Sequence, residues 1–272
     1  MRRLPRKFTV PSDDRLVEIH LEAPVVSAQN LVLEAWSSSH ILSQNLNKIT
    51  PDVEAAIALL QKRDTPSAES SGKNTPQSNG SMESTHPEAL SIGGLELGAG
   101  LGLVGLAAAA IWGTQITMTD LPPLVPPIIA NIKLNAGTLA SNGGSAVAGA
   151  LDWDKPNELT FHDGKTSHVL RASGLPSEKK SKIILAADVI YDENHPRILT
   201  DAILTWLSQV EESRAIVAYP LRIAYLDAIR DFWERMERGG LVAVREGRAK
   251  AGEDWDDEEE IEWCIWKWKK FG

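Results

Sequence analysis

Past residue 91, short apolar runs alternate with longer helical patterns along the chain. The run ending at Leu95-Glu96-Leu97 stops at a glycine turn. Leu103 to Ile111 is apolar at nearly every position, as in a helix buried all round. Gln115 to Thr119 reads as a second strand, closed by Asp120. A helix follows over Leu124 to Asn135, with Pro122, Pro123, Pro126 and Pro127 confined to its entry, where missing N–H groups matter least. Ser145 to Leu151 is a less marked third strand that ends at Asp152-Trp153. A polar loop over Lys155 to Lys180 separates it from Lys182 to Ala187, a run of the kind buried in parallel sheets. Helix Pro196 to Val210, strand Ala215 to Ala218 and helix Arg222 to Glu237 come next. Strands Leu241 to Glu246 and Ile261 to Trp268 have no helical pattern between them and predict an antiparallel hairpin. Alternating strands and helices imply an α/β fold, its mostly parallel sheet covered on both faces.

The first third of the chain is patterned differently. Leu16 to Leu21 partly alternates and is expected to pair on a sheet edge. Ser37 to Ser39 can cap a helix whose apolar face holds Ile41, Leu42, Leu46 and Ile49. Thr50 as N-cap and Pro51 at the first helical position open a second helix carrying Val53, Ile57 and Leu60. Between Asp64 and Pro87 only Ala68 and Met82 are apolar, too little to offset ordering entropy. The expected organisation is an extension packed on the core over residues 1–62, a disordered insertion over 63–90, and a core over 91–272.

Composition narrows the class. Hydrophobic content of 43% in 272 residues suits one large globular domain. Apolar runs fall far short of the ~20 residues of a bilayer span, so no membrane partner is expected. The basic N-terminus (MRRLPRKFTV) lacks the apolar block of a secretory signal, and the single cysteine, Cys264, fits a reducing compartment. Cytosol or nucleus is the expected location, and a monomer the expected state. Net charge is −9, but residues 253–262 hold eight acids and no base, and without those acids it is −1. A nearly neutral body argues against nucleic acid as main partner. The acidic cluster reads as a solvated hairpin tip or as a docking surface for a basic protein.

Candidate chemistry centres on Glu96-Leu97-Gly98-Ala99-Gly100-Leu101-Gly102. Alternate glycines let the chain turn sharply and bring peptide N–H groups to a ligand at a helix N-terminus. Gly100, Gly102 and Gly105 also satisfy G-x-G-x-x-G, so spacing alone leaves a dinucleotide site open. Asp120, about 20 residues on, is placed to grip ribose hydroxyls. Strand, glycine loop, helix, strand and acid together form a nucleoside-binding βαβ unit. The six histidines are scattered without metal-ligand spacing.

These features resemble the class I S-adenosylmethionine-dependent methyltransferases, which have a Rossmann-like sheet of seven strands ending in an antiparallel hairpin. LELGAGLGLVGLAAA, MTD, LDW and ADVIY, with AWSSSHILSQNL upstream, are similar in order to the motifs of the family 16 protein-lysine N-methyltransferases. The resemblance implies S-adenosylmethionine as cofactor, held by Gly98, Ala99 and Gly100, with Glu96 supporting the loop and Asp120 on the ribose. It implies Trp153 beside the adenine, Asp152 near its exocyclic amine, Trp36 closing the site and Ala187 ending the fourth strand. Asp188 and Tyr191 match the D-x-x-Y signature beside the acceptor amine. Departures are Ser37 after Trp36, where an acid is usual, and Asp154 after Trp153, where glycine is usual.

The expected partner is a protein with an accessible lysine, an elongation factor or chaperone by resemblance. The alternatives are a binding or chaperone module without turnover, a different acceptor nitrogen, and an oxidoreductase using the G-x-G-x-x-G spacing. Asp188 is followed by Val189-Ile190-Tyr191, not by the two prolines of enzymes that methylate planar nitrogens.

Overall fold

The computed structural model describes residues 6–13, 15–23, 35–64, 92–162, 167–250 and 260–270. Residues 63 and 64 of the insertion expected over 63–90 belong to a helix; the rest of it and most of the acidic cluster lie outside the described residues. The elements are β1 (Arg6–Ser12), β2 (Arg15–Leu21), α1 (Ser37–Asp64), β3 (Gly94–Leu97), α2 (Leu103–Trp112), β4 (Gln115–Asp120), α3 (Val125–Leu134), α4 (Ala136–Ser141) and β5 (Ser145–Ala150). They continue with β6 (Glu158–His162), β7 (Ser167–Arg171), β8 (Ile183–Ala187), α5 (His195–Trp206), β9 (Arg214–Pro220), α6 (Leu226–Arg238), β10 (Leu241–Lys250) and β11 (Glu260–Trp268).

The main sheet has the order β10-β11-β9-β8-β3-β4-β5-β6-β7. Its five central strands, β5, β4, β3, β8 and β9, run parallel. The hairpin β10–β11 closes one side antiparallel, as the sequence predicts. β8 and β9 are apolar on both faces, because helices cover both. Along β8, Ile183, Leu185 and Ala187 join the core under α1 and α2, while Ile184 and Ala186 join the core under α5 and α6. The period-2 alternation of a strand thus feeds two separate cores.

Three features depart from the sequence reading. The polar loop after β5 contains β6 and β7, which extend the sheet antiparallel at its other side. Alternate residues of β7 are exposed, so it lacks the apolar run that marks a buried strand. Leu16 to Leu21 pairs with β1 in a separate two-stranded hairpin and does not edge the main sheet.

The third departure is α1, one helix across Pro51 where two were expected. Thr50 is no N-cap: its hydroxyl donates to the Leu46 carbonyl and accepts from Trp112 Nε1. Arg245 reaches both the Lys48 carbonyl and the Asp52 carboxylate, tying the helix to β10 on either side of the proline. A proline inside a helix costs ~3 kcal/mol. Ile41, Leu42, Leu46, Ile49, Val53, Ile57 and Leu60 are all buried on the continuous face, at ~1.5–3 kcal/mol each. Burial outweighs the proline.

The β1–β2 hairpin is fixed by two asparagines of the α3 region. Asn135 accepts the His20 N–H and donates to the His20 carbonyl, and Asn131 does the same for Glu22. Two amide side chains therefore stand in for a third strand along β2. Asn131 also donates to the carbonyl of Leu101, in the glycine loop, at 2.9 Å. Replacing Asn131 with Ala removes three hydrogen bonds from a fully buried site, and stability in urea should fall by about 2–4 kcal/mol. An unchanged unfolding midpoint would show that the hairpin is held by its apolar face alone.

Candidate active site

The carboxyl ends of β3, β4, β5 and β8 converge on one edge of the sheet, where open α/β sheets place ligands. β3 ends at Leu97, and the chain turns through Gly98 (φ 68°), Gly100 (φ 55°) and Gly102 (φ 88°) into α2. The Ala99 N–H donates to the Thr119 carbonyl at 2.9 Å, and the Gly102 N–H to the Ala99 carbonyl at 2.7 Å. Two carboxyl groups clamp this loop. Glu96 Oε2 accepts the Gly105 N–H at 3.1 Å from within α2. Asp120 Oδ2 accepts the Gly100 N–H at 2.8 Å, and Asp120 Oδ1 that of Leu121 at 2.7 Å.

The glycines have different tasks. A Cβ at Gly105 would stand 2.3 Å from Glu96 Oε2, so that position is glycine to admit the carboxyl group. A Cβ at Gly98 would stand 2.7 Å from Val189 and 3.2 Å from the Trp153 ring. At Gly100 a Cβ would meet nothing within 4 Å. Gly100 thus borders open space, and its backbone is the part of the loop that a ligand can approach.

The other part of this edge is built from the segments after β8 and β9. Asp188 follows Ala187 with φ 61°, its N–H donating to the Ala218 carbonyl at 2.9 Å. It is buried, with Arg222 Nη1 3.8 Å from its Oδ1. Tyr191 is 57% exposed and meets His195 edge to face, with ring centroids 4.3 Å apart. Its N–H donates to His195 Nδ1 at 3.4 Å. His195 in turn meets Trp153 edge-on at 6.0 Å. One aromatic series thus runs from the loop at Gly98 to Tyr191.

Burial pushes the Tyr191 hydroxyl above its ordinary range, and the fields of Asp120, Asp188 and Asp192 push it further. Desolvation lowers His195, so its imidazole is neutral near pH 7. Burial raises Asp120 against the two N–H groups it accepts. Glu96 is pushed up to about 8, by burial first and by the charge of Asp120 last.

The structure therefore brings together Glu96, Gly98, Ala99, Gly100, Asp120, Trp153, Ala187, Asp188 and Tyr191. Asp152, also on this edge, accepts the Asp154 N–H at 3.0 Å in a tight turn that presents Trp153. Trp36 precedes α1 and is 53% exposed. The bonds from Gln61 and Thr50 to Trp112, the last residue of α2, set the C-terminal half of α1 toward the opposite edge. The Trp36 carbonyl accepts the His40 N–H at 3.1 Å, and among the described residues no hydrogen bond or ring contact joins its side chain to the glycine loop.

Sequence reading missed His195 and Arg222. The signal for Arg222 was available, since residues just past β9 belong to the same edge. Glu262, read as part of an acidic cluster at a solvated hairpin tip or docking surface, is instead buried: it accepts the Tyr219 hydroxyl at 2.8 Å and Arg248 Nε at 2.6 Å.

Comparison with known proteins identifies the family. A family model described as lysine methyltransferase matches residues 34–238. Protein-lysine N-methyltransferase rrg1 of Schizosaccharomyces pombe is 31% identical over 183 residues, 67% of this chain and 55% of that protein. Protein-lysine N-methyltransferase EFM2 of Saccharomyces cerevisiae is 32% identical over 168 residues, 59% of this chain and 36% of that protein. The chain thus spans about half the length, or less, of these relatives. Among solved structures, an S-adenosylmethionine-dependent methyltransferase from Methanosarcina mazei aligns with a TM-score of 0.46 at 10% identity, covering 64% of this chain and 91% of that one.

The buried carboxyl group at Glu96 has a consequence for stability. Its folded pKa of about 8 lies above the unfolded value of 4.5, so between them the folded state holds the extra proton. Its contribution is complete below the unfolded value and lost as pH rises through the folded one. Glu96→Gln keeps an acceptor for the Gly105 N–H and cannot ionise. Between pH 5 and 8, wild type should lose stability relative to this variant by up to about 1.4 kcal/mol per pH unit. Urea unfolding at several pH values checks this, and parallel stability curves would show that Glu96 ionises freely.

Proposed function

The chain belongs to the lysine methyltransferase family, and we propose that it methylates a lysine side chain of a protein substrate with S-adenosylmethionine. The observation that carries this reading is Asp188 with Arg222, placed beside the glycine loop on the same sheet edge. The activity for which rrg1 and EFM2 are named supports the lysine acceptor. Translation elongation factors and chaperones are the substrate classes to which the motif resemblance points. A reducing compartment, cytosol or nucleus, suits Cys264, whose buried thiol is pushed up to about 12.

The residues present fit this cofactor. Open space at Gly100, flanked by the Asp120 carboxylate, suits a ligand with hydroxyls on one side and an amino-acid end on the other. Gly98, Ala99 and Gly100 would hold the amino-acid end, and Asp120 the ribose. Asp152 and Trp153 would hold the adenine, Trp36 would close the site, and Ala187 would line it beside Asp188. Glu96 would act from beneath, through Gly105 and the pitch of α2. When bound, S-adenosylmethionine supplies a methyl group on a sulfonium, open to in-line displacement.

What remains for the protein is to align the amine and take its proton. A free lysine has a pKa of about 10.4 and must lose a proton before it attacks. Tyr191 is held in its neutral form, so it is no base at neutral pH; its oxygen can accept an amine N–H and orient it. Asp188 is the carboxylate placed to receive the proton.

Two sets of variants separate these roles. Asp120→Ala should weaken S-adenosylmethionine binding by about 1.5–3 kcal/mol, the scale of a charged hydrogen bond. Calorimetry checks it, and unchanged affinity in a folded variant would remove Asp120 from the cofactor site.

Asp188→Ala and Tyr191→Phe should bind the cofactor as wild type does while turnover falls, by about 10²-fold for Asp188. Turnover is read as labelled methyl incorporated into a lysate from cells lacking the protein, with the labelled residue identified by mass spectrometry. Normal binding with wild-type rates in both variants would move the acceptor site elsewhere. Label on a residue other than lysine would overturn the acceptor assignment.

A further inference from the structure

The apolar surface beside Asp188 has no role in the mechanism above. Ile223 is 89% exposed and Leu226 39%, both just beyond the carboxyl end of β9. Tyr191, half exposed, lies just beyond the end of β8. These strands are hydrogen-bonded neighbours, with Ala187 opposite Ala218, so the two segments leave the sheet about 4.8 Å apart. Arg222, next to Ile223 in the chain, reaches Asp188. The apolar positions are therefore continuous with the acceptor site.

Exposed apolar side chains grouped at a site mouth mark a surface that a partner covers. Among the described residues, the charges bordering this one are sorted. Arg230 is paired with Asp227, and Arg197 with Asp154 and Asp201. Asp192 accepts the Asn194 N–H, and no ion pair holds Glu193, which is exposed two residues past Tyr191. A visiting chain thus meets an apolar step beside Asp188 and an acidic margin beyond Tyr191.

We infer that Ile223, Leu226 and Tyr191 form a docking step for the substrate segment around the lysine, selecting an apolar residue next to it, with Glu193 favouring a basic residue further along. The inference rests on the protein-lysine reading and specifies the substrate that this site takes. A lysine flanked by acids would meet Glu193 with like charge, and one flanked by small polar residues would leave the step wet.

The test uses the full chain, labelled S-adenosylmethionine and a library of peptides with one central lysine. One adjacent position varies among Leu, Phe, Ser and Glu, and more distant positions between Arg and Glu. Wild type should favour Leu or Phe over Ser at least tenfold. Ile223→Ser and Leu226→Ser should each reduce that preference below threefold, with cofactor affinity and Tm unchanged. Glu193→Lys should remove the preference for distant Arg. Both apolar side chains are exposed, so folding is spared on substitution. Peptides labelled without an apolar preference, or a preference that survives both serine variants, would overturn the docking step and leave lysine methylation standing. If no lysine peptide is labelled while a lysine in the lysate is, the docking step falls and lysine methylation stands; if no lysine is labelled in either, both fall.

Discussion

The architecture of the site depends on two carboxyl groups that accept backbone N–H groups across one glycine loop. Glu96 holds Gly105, inside the first turns of α2, and Asp120 holds Gly100, at the tip. Without those acceptors, the buried Gly105 N–H and the part-buried Gly100 N–H would be left unpaired, at about 1–3 kcal/mol for the buried one. With them, the helix N-terminus is pinned to two neighbouring parallel strands. Burial of the acids has a cost, seen in the rise of both above their ordinary range. Only the close glycine backbone at 105 lets Glu96 fit at all.

The clamp extends outward to the first elements of the chain. Asn131 bonds both the loop carbonyl of Leu101 and the backbone of Glu22 just past β2, so the N-terminal hairpin and the glycine loop share one side chain. On the acceptor side the constraint is conformational. Asp188 occupies the left-handed region, which disfavours residues with a Cβ, although Asp tolerates it better than most. A conformation costing of order 1 kcal/mol or more persists where the surroundings over-determine it. Here the bond to Ala218 and the buried side chains of Val189 and Ile190 hold it.

How much could be read from sequence follows from where the information resides. β8 and β9 were legible because strands buried on both faces leave continuous apolar runs, and β3 and β4 because the glycine turn and Asp120 mark their ends. Glu96, Asp120 and Asp188 were legible because an acid at the end of such a run has little packing role. The strands β6 and β7 were not, since half their positions face water and their composition matches a loop. The unity of α1 was also hidden: locally, threonine followed by proline spells a helix start, and only the burial of both halves against one core overrides it. His195, against Tyr191 and Trp153, and Arg222, against Asp188, owe their importance to contacts at the sheet edge, which the strand topology suggests and no sequence motif spells.

The protonation states at the acceptor edge lead to one further step of reasoning. In the proposed reaction Tyr191 and His195 are both held neutral, so once past the exposed Asp192 and Glu193 a lysine meets Asp188 and its partner Arg222 as the ionic groups of this edge. These oppose each other in their effect on an ammonium. Asp188 attracts it and raises its pKa, whereas Arg222 repels it and lowers the pKa. The apolar rim adds to the second effect, because it strips water from the charged form more than from the neutral amine. Arg222 therefore does more than balance a buried acid. It limits how strongly Asp188 can stabilise the protonated lysine, so the carboxylate that draws the substrate in does not also trap it in the unreactive state.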